Sequence, residues 1–162
     1  MKNLLLLLGV VAFVSIAAIP VNSTVENVGE NIIELADASI VGIWRTIDDV
    51  TGKEKSYVKI YKAKNGKYYG EIERLLNRAK GDEDPICDVC PENDYRHGKK
   101  IIGMKIVSGL KEKGGTYSGG TILDPKKGKV YTCKLWTEGE DKLKVRGYVG
   151  PIYRTQTWHR VK

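Results

Sequence analysis

Gly42-Ile43-Trp44-Arg45-Thr46 opens the first convincing extended run of the chain, Ile40 to Ile47. Glycine inside a strand weakens it, so Gly42 marks a close backbone approach or a sharp bend. Side chains alternate across a strand, which puts Gly42 and Trp44 on one face. Trp44 brings a large apolar surface and an indole N–H that needs a partner once buried. Two readings follow. In one, Gly42 makes room while Trp44 plugs the end of a small β-barrel; in the other, Trp44 is an ordinary core residue beside a bulge glycine.

Outward from this stretch the pattern is all-β. Short runs punctuated by turn residues predict strands over Ile40–Ile47, Ser56–Ala63, Lys67–Leu75, Ile101–Val107, Thr116–Leu123, Lys129–Trp136, Lys142–Val149 and Tyr153–Val161. Asn65-Gly66 is a strong hairpin signal between the second and third. Asp124-Pro125-Lys126-Lys127-Gly128, Glu138-Gly139-Glu140-Asp141 and Gly150-Pro151 supply further turns. Eight strands in hairpin succession predict an antiparallel up-and-down barrel, which leaves no exposed edge. Mid-strand Gly70, Gly119, Gly120 and Gly147 favour a closed, strongly curved sheet over a two-sheet sandwich. The barrel domain is expected over residues 40–162.

Lys2 followed by an apolar run from Leu4 to Ile19 and then Pro20-Val21-Asn22-Ser23 has the layout of a secretory signal peptide, assigned here to residues 1–23. The run falls short of the ~20 residues of a spanning helix, so no transmembrane anchor is expected after cleavage. Residues 24–39 read as a lead-in or a short helix. The remaining chain of roughly 140 residues suits one domain with one core. Its formal charge falls from +7 to +6 with the loss of Lys2. Export and the lack of a basic, aromatic-interleaved motif argue against nucleic acid as a partner; scattered lysines serve a solvated surface. Periplasmic or secreted localisation follows.

Three cysteines remain. Cys87 and Cys90 form a C-x-x-C inside the long polar segment Asn77 to Lys100, and Cys133 stands alone. In an oxidising compartment a local Cys87–Cys90 disulfide is the leading reading, with Cys133 a buried thiol. Thiol exchange would want the motif at a helix N-terminus, whereas Pro85 and Pro91 flank it here. A c-type haem would need His after Cys90, where the chain has Pro91. Zinc held by Cys87, Cys90, His97 and Asp94 falls short of a specific four-ligand signature. No cofactor is expected.

The G-x-W at Gly42 and Trp44, with an arginine on the last strand, resembles the lipocalin and wider calycin pattern. That resemblance implies that Arg160, or else Arg154, packs across Trp44 at one barrel end, a cation–π contact. Val41–Thr46, Gly128–Cys133, Val145–Gly150, Arg154–Trp158 and the looped C-x-x-C are together similar to exported bacterial proteins grouped as a domain of unknown function with a lipocalin-like barrel. This second resemblance spans residues 40 to 161. It implies the fold, export and a small-ligand cavity, and it brings no catalytic residues.

An eight-stranded barrel is wide enough to be filled by side chains or to hold one small ligand. Candidate cavity or rim residues are Tyr57, Tyr61, Tyr68, Tyr117, Tyr131 and Trp136, with Arg146, Tyr148 and Gln156 as polar candidates. Facing inward, Arg146 and Tyr148 could clamp a carboxylate or phosphate; ordinary patterning instead turns them outward, with Leu143, Val145 and Val149 inside. Gln156 shares a face with Arg154, Trp158 and Arg160, and its amide would need hydrogen-bond partners inside. The two histidines, His97 and His159, sit in no nucleophile motif, and the carboxylates lie mostly in turns. The expected function is therefore binding of a small hydrophobic or amphipathic ligand such as a fatty acid or lipid. The alternatives are a filled barrel docking a protein partner through residues 77–100, and an unrecognised isomerase- or hydrolase-like enzyme.

Overall fold

The computed structural model describes residues 39–78, 81 and 84–162. The expected signal peptide, and the lead-in apart from Ser39, lie outside the described residues. Eight strands follow in order: β1 (Gly42–Ile47), β2 (Glu54–Lys62), β3 (Tyr68–Leu75), β4 (Lys105–Lys113), β5 (Thr116–Asp124), β6 (Lys129–Glu138), β7 (Lys142–Val149) and β8 (Ile152–Arg160). Each pairs antiparallel with the next, and β8 returns to β1 through Trp44↔Arg160 and Arg45↔His159, closing the barrel. Among the described residues there are no helices.

Period-two alternation sorts the faces. Trp44 and Thr46 point inward, as do Ser56, Val58 and Ile60, and all five are buried. Across β6–β8 the register Leu135↔Val145 and Leu143↔Trp158 sets four buried side chains inside. Their neighbours Lys134, Trp136, Lys144, Arg146 and Thr157 are thereby turned outward. In β4 and β5 the alternation is reset. Gly109 (φ 76°) and Gly119 (φ 75°) adopt the left-handed region, so Val107 and Leu110, three apart, both reach the core. A Cβ on neighbouring Gly120 would lie 2.2 Å from Ser108 O, so only glycine fits this corner.

The fourth strand departs from expectation. Ile101–Gly103 forms a turn, tied down by Gly103 N–H to Ile72 O (2.7 Å) and Ile72 N–H to Met104 O (3.0 Å). The strand proper runs from Lys105 through Gly109 instead of ending there, because a left-handed glycine bends a strand without breaking its pairing with β5.

The two ends of the barrel differ. Turns β2–β3, β4–β5 and β6–β7 gather at one end with the start of β1 and the end of β8. Turns β1–β2, β5–β6 and β7–β8 and the long β3–β4 segment gather at the other. The first end is filled: Trp44, Leu110, Leu135 and Leu143 are wholly buried, with Tyr68 edge-on to Tyr117 at 4.7 Å between ring centroids. At the second end the β3–β4 segment packs against the outer wall and the β5–β6 turn. There Cys87 Sγ lies 3.5 Å from Pro125 O, and a Cβ on Gly128 would collide with Val89 O at 1.8 Å. Ile106 and Leu123 are buried as well, although they alternate out of phase with inward Val107 and Ile122.

Candidate functional site

At the filled end, the Arg160 guanidinium lies 4.2 Å from the Trp44 ring centroid. It donates to Glu140 O (2.6 Å), Val41 O (3.1 Å) and Ser39 O (2.7 Å), tying β8 to the start of β1 and to the β6–β7 turn. The Trp44 indole N–H donates to Ile40 O at 2.8 Å. Gly42 sits directly under the guanidinium: a Cβ there would lie 2.7 Å from Arg160 Nη1. Gly42, Trp44 and Arg160 therefore form one seal, and Arg154 lies at the opposite end.

At that opposite end, four inward-facing residues keep some solvent exposure. Ile122, Tyr131, Gly147 and Gln156 are only partly buried, although Ile122↔Tyr131 and Cys133↔Gly147 are in-register pairs of the interior face. Gly147 lies against Tyr131 and Ile122: an added Cβ would be 3.5 Å from the Tyr131 Cβ and 3.9 Å from the Ile122 Cγ2. One side of this mouth is apolar, with Ile72, Val107, Ile122 and Tyr131. The other is polar. Thr46 and Ser56 share a 2.8 Å hydroxyl hydrogen bond. The Gln156 amide donates to Asp49, while its carbonyl accepts from the Trp158 indole N–H at 3.4 Å.

Charges strap the rim. Arg154 pairs with Asp49 at 2.9 Å, and Lys126 reaches Asp48 across from the β5–β6 turn at 3.9 Å. The Asp48 carboxylate accepts from the Thr51 N–H (2.9 Å), the Thr51 hydroxyl (3.0 Å) and the Val50 N–H (3.0 Å). These hold its pKa below the usual carboxylate range. Cys133 lies under the mouth, and burial pushes its thiol up to about 12.

Of the nine candidate ligand residues, Tyr68, Tyr117, Tyr131 and Gln156 face the interior. Tyr68 and Tyr117 belong to the filled half, so Tyr131 and Gln156 are the two the fold brings to the mouth. Tyr57, Tyr61, Trp136, Arg146 and Tyr148 stand on the outer wall. Tyr57 lines an outer cleft of about 360 Å³ with Arg45, His159 and Arg160. Tyr61 donates to Glu71, and desolvation with that carboxylate raises its phenol to about 12. The sequence reading missed Asp49, Thr46, Ser56 and Ile122. Thr46 and Ser56 carried a usable signal: each is a polar residue two positions from an apolar one (Trp44, Val58) on the same strand face.

Cys87 and Cys90 form a disulfide with a Cα–Cα distance of 5.4 Å, and Cys133 is free. The suggested zinc donors are otherwise engaged. The two thiols are joined, Asp94 is bidentate to Arg96 (2.6 and 2.8 Å), and His97 Nδ1 is 2.6 Å from Cys90 O. Among the described residues no helix is long and apolar enough to cross a membrane.

A closed eight-stranded up-and-down barrel with a tryptophan under an arginine at one end is a lipocalin-like β-barrel. The chain belongs to the bacterial family described as "Uncharacterized protein conserved in bacteria (DUF2147)", whose profile matches residues 42–160. Among solved structures it is similar to protein HP1028 from the human pathogen Helicobacter pylori, described as belonging to the lipocalin family. The two share 22% identity, covering 77% of this chain and 84% of that one, with a TM-score of 0.65. No curated protein matches the chain.

Proposed function

We propose that this protein is an exported small-ligand carrier that takes an apolar or amphipathic molecule, such as a fatty acid, into the open end of its barrel. The observation that carries this reading is the contrast between the ends. Inward Trp44, Leu110, Leu135 and Leu143 are wholly buried, whereas at the other end inward Ile122, Tyr131, Gly147 and Gln156 still meet solvent beside buried Thr46, Ser56, Ile72 and Val107. An apolar wall facing a polar one suits a ligand with a hydrocarbon part and a polar head. The filled lower half makes the site shallow, so a long chain would enter only in part. Export is supported by the Cys87–Cys90 bridge, a bond that persists in oxidising compartments.

Displacement of a fluorescent fatty acid tests the proposal. Saturable binding is expected, weakened at least tenfold by Gly147→Leu, which adds bulk beside Tyr131 and Ile122 while leaving the seal intact. Absence of saturable binding, or binding indifferent to Gly147→Leu, refutes it. That result would favour the second reading, a protein partner docking on the 77–100 segment, which the exposed Ile86, Val89 and Tyr95 on the disulfide-braced loop support.

A further inference from the structure

The outer wall of β6–β8 holds two cations that the fold leaves uncompensated. Lys134 and Arg146 are direct cross-strand partners, and like charges in that position repel. Some cations of the barrel do have anions: Arg45 pairs with Glu54 (2.6 Å), Lys144 with Glu138 (3.3 Å) and Arg154 with Asp49. Among the described residues no carboxylate pairs with Lys134 or Arg146.

Both cations are nonetheless held in place. The Arg146 guanidinium is 4.2 Å from the Tyr153 ring centroid and 5.0 Å from that of Trp136, and its Nε–H donates to Thr155 Oγ1 at 2.8 Å. The Lys134 ammonium stands 5.9 Å from the same indole. Arg146 thus has its position fixed by two rings and one hydrogen bond, with both Nη groups left as donors. Beside them is a cleft of about 350 Å³, bounded across the barrel wall by the Gly114-Gly115-Thr116 turn.

We propose that this outer cleft is a second binding site, for an oxyanion carried on a small ring-bearing molecule: a phosphorylated or carboxylated sugar. The anionic group would bridge Arg146 Nη and Lys134 Nζ, relieving their repulsion through charge-assisted hydrogen bonds. The ring would occupy the cleft against Trp136 and the Thr116 hydroxyl. A preordered guanidinium loses little side-chain freedom on binding, which favours recognition of the bidentate group. The site lies on the outside of the barrel and stands apart from the proposed interior carrier role.

Intrinsic fluorescence reads this site directly, because Trp44 and Trp158 are buried and Trp136 is partly exposed. The full chain is titrated with glucose 6-phosphate, glucuronate, glucose, inorganic phosphate and phosphatidylglycerol vesicles. The expected result is a saturable Trp136 signal with the two acidic sugars, at least tenfold weaker for glucose and several-fold weaker for inorganic phosphate. Arg146→Gln and Lys134→Gln should each weaken sugar binding about tenfold or more, and Lys144→Gln, whose ammonium is already paired, should leave it unchanged. Equal affinity for glucose, sugar binding that survives Arg146→Gln, or Arg146-dependent binding of vesicles but not of acidic sugars would each overturn the proposal.

Discussion

Arg160 is fixed by three backbone carbonyls and one indole face, so its loss strikes both a charge network and a packing contact. Arg160→Met should lower stability by about 1–3 kcal/mol, the range for losing hydrogen bonds to a charged group. Trp44→Ala should cost about 3–5 kcal/mol as a core cavity. In a urea double-mutant cycle the two should couple by about 0.5–2 kcal/mol; simple additivity would mean that Trp44 and Arg160 do not act as one seal. A second expectation concerns Asp94, held at about 2 by its bidentate bond to Arg96. Folding lowers this pKa from about 3.9, so the pair contributes in full above that value and its contribution is lost as pH falls toward about 2. Asp94→Asn should therefore lower the urea midpoint at pH 6 and leave it nearly unchanged at pH 2, and an equal loss at both pH values would contradict the assignment. Cys133, pushed up to about 12 by burial, should resist a thiol reagent at pH 8 until the protein is unfolded.

Single glycines decide the shape of the elements, and they decide it differently. Gly120→Ala forces a Cβ into Ser108 O and should cost more than about 2 kcal/mol or prevent folding, as strain at a special backbone site does. Gly147→Ala meets only ordinary contacts at 3.5 Å and should change stability by less than about 1 kcal/mol. Thermal melts of the two variants make the comparison, and similar losses would show that the corner at Gly109–Gly120 is not steric in origin. These positions also mark how far the elements could be read in advance. The mid-strand glycines announced curvature, and seven of the eight strands lie within two residues of their expected bounds at each end. The fourth was misplaced because a glycine reads equally as a stop or as a left-handed bend. Gly109 is the bend, and Ile101-Ile102-Gly103, which looked like strand, is held as a turn by partners on β3. Gly128, pressed on Val89 O, makes the β3–β4 segment depend on the β5–β6 turn, a long-range contact no local pattern carries.

For the molecule as a whole, barrel closure was legible in the hairpin succession and mid-strand glycines, and the Trp44–Arg160 contact only through the resemblance to the lipocalin pattern, which left Arg154 as the alternative. The site was less so. Strand alternation separates two faces without saying which is inside, and the bend glycines reset it in β4 and β5. Arg146 and Trp136 accordingly stand outside, where ordinary patterning had put Arg146, while Tyr131 and Gln156 reach the mouth. Asp49, which satisfies the Gln156 amide, comes from a turn 107 residues away and only the closed barrel reveals it. The proposed carrier is sealed at one barrel end and takes its ligand at the other. Backbone NMR shift mapping during titration with a short-chain fatty acid tests it most directly. Saturable shifts concentrated at Ile122, Tyr131, Gly147 and Gln156, with Trp44 and Leu143 unmoved, are the predicted result. Shifts confined to the outer wall, or none that saturate, would contradict it.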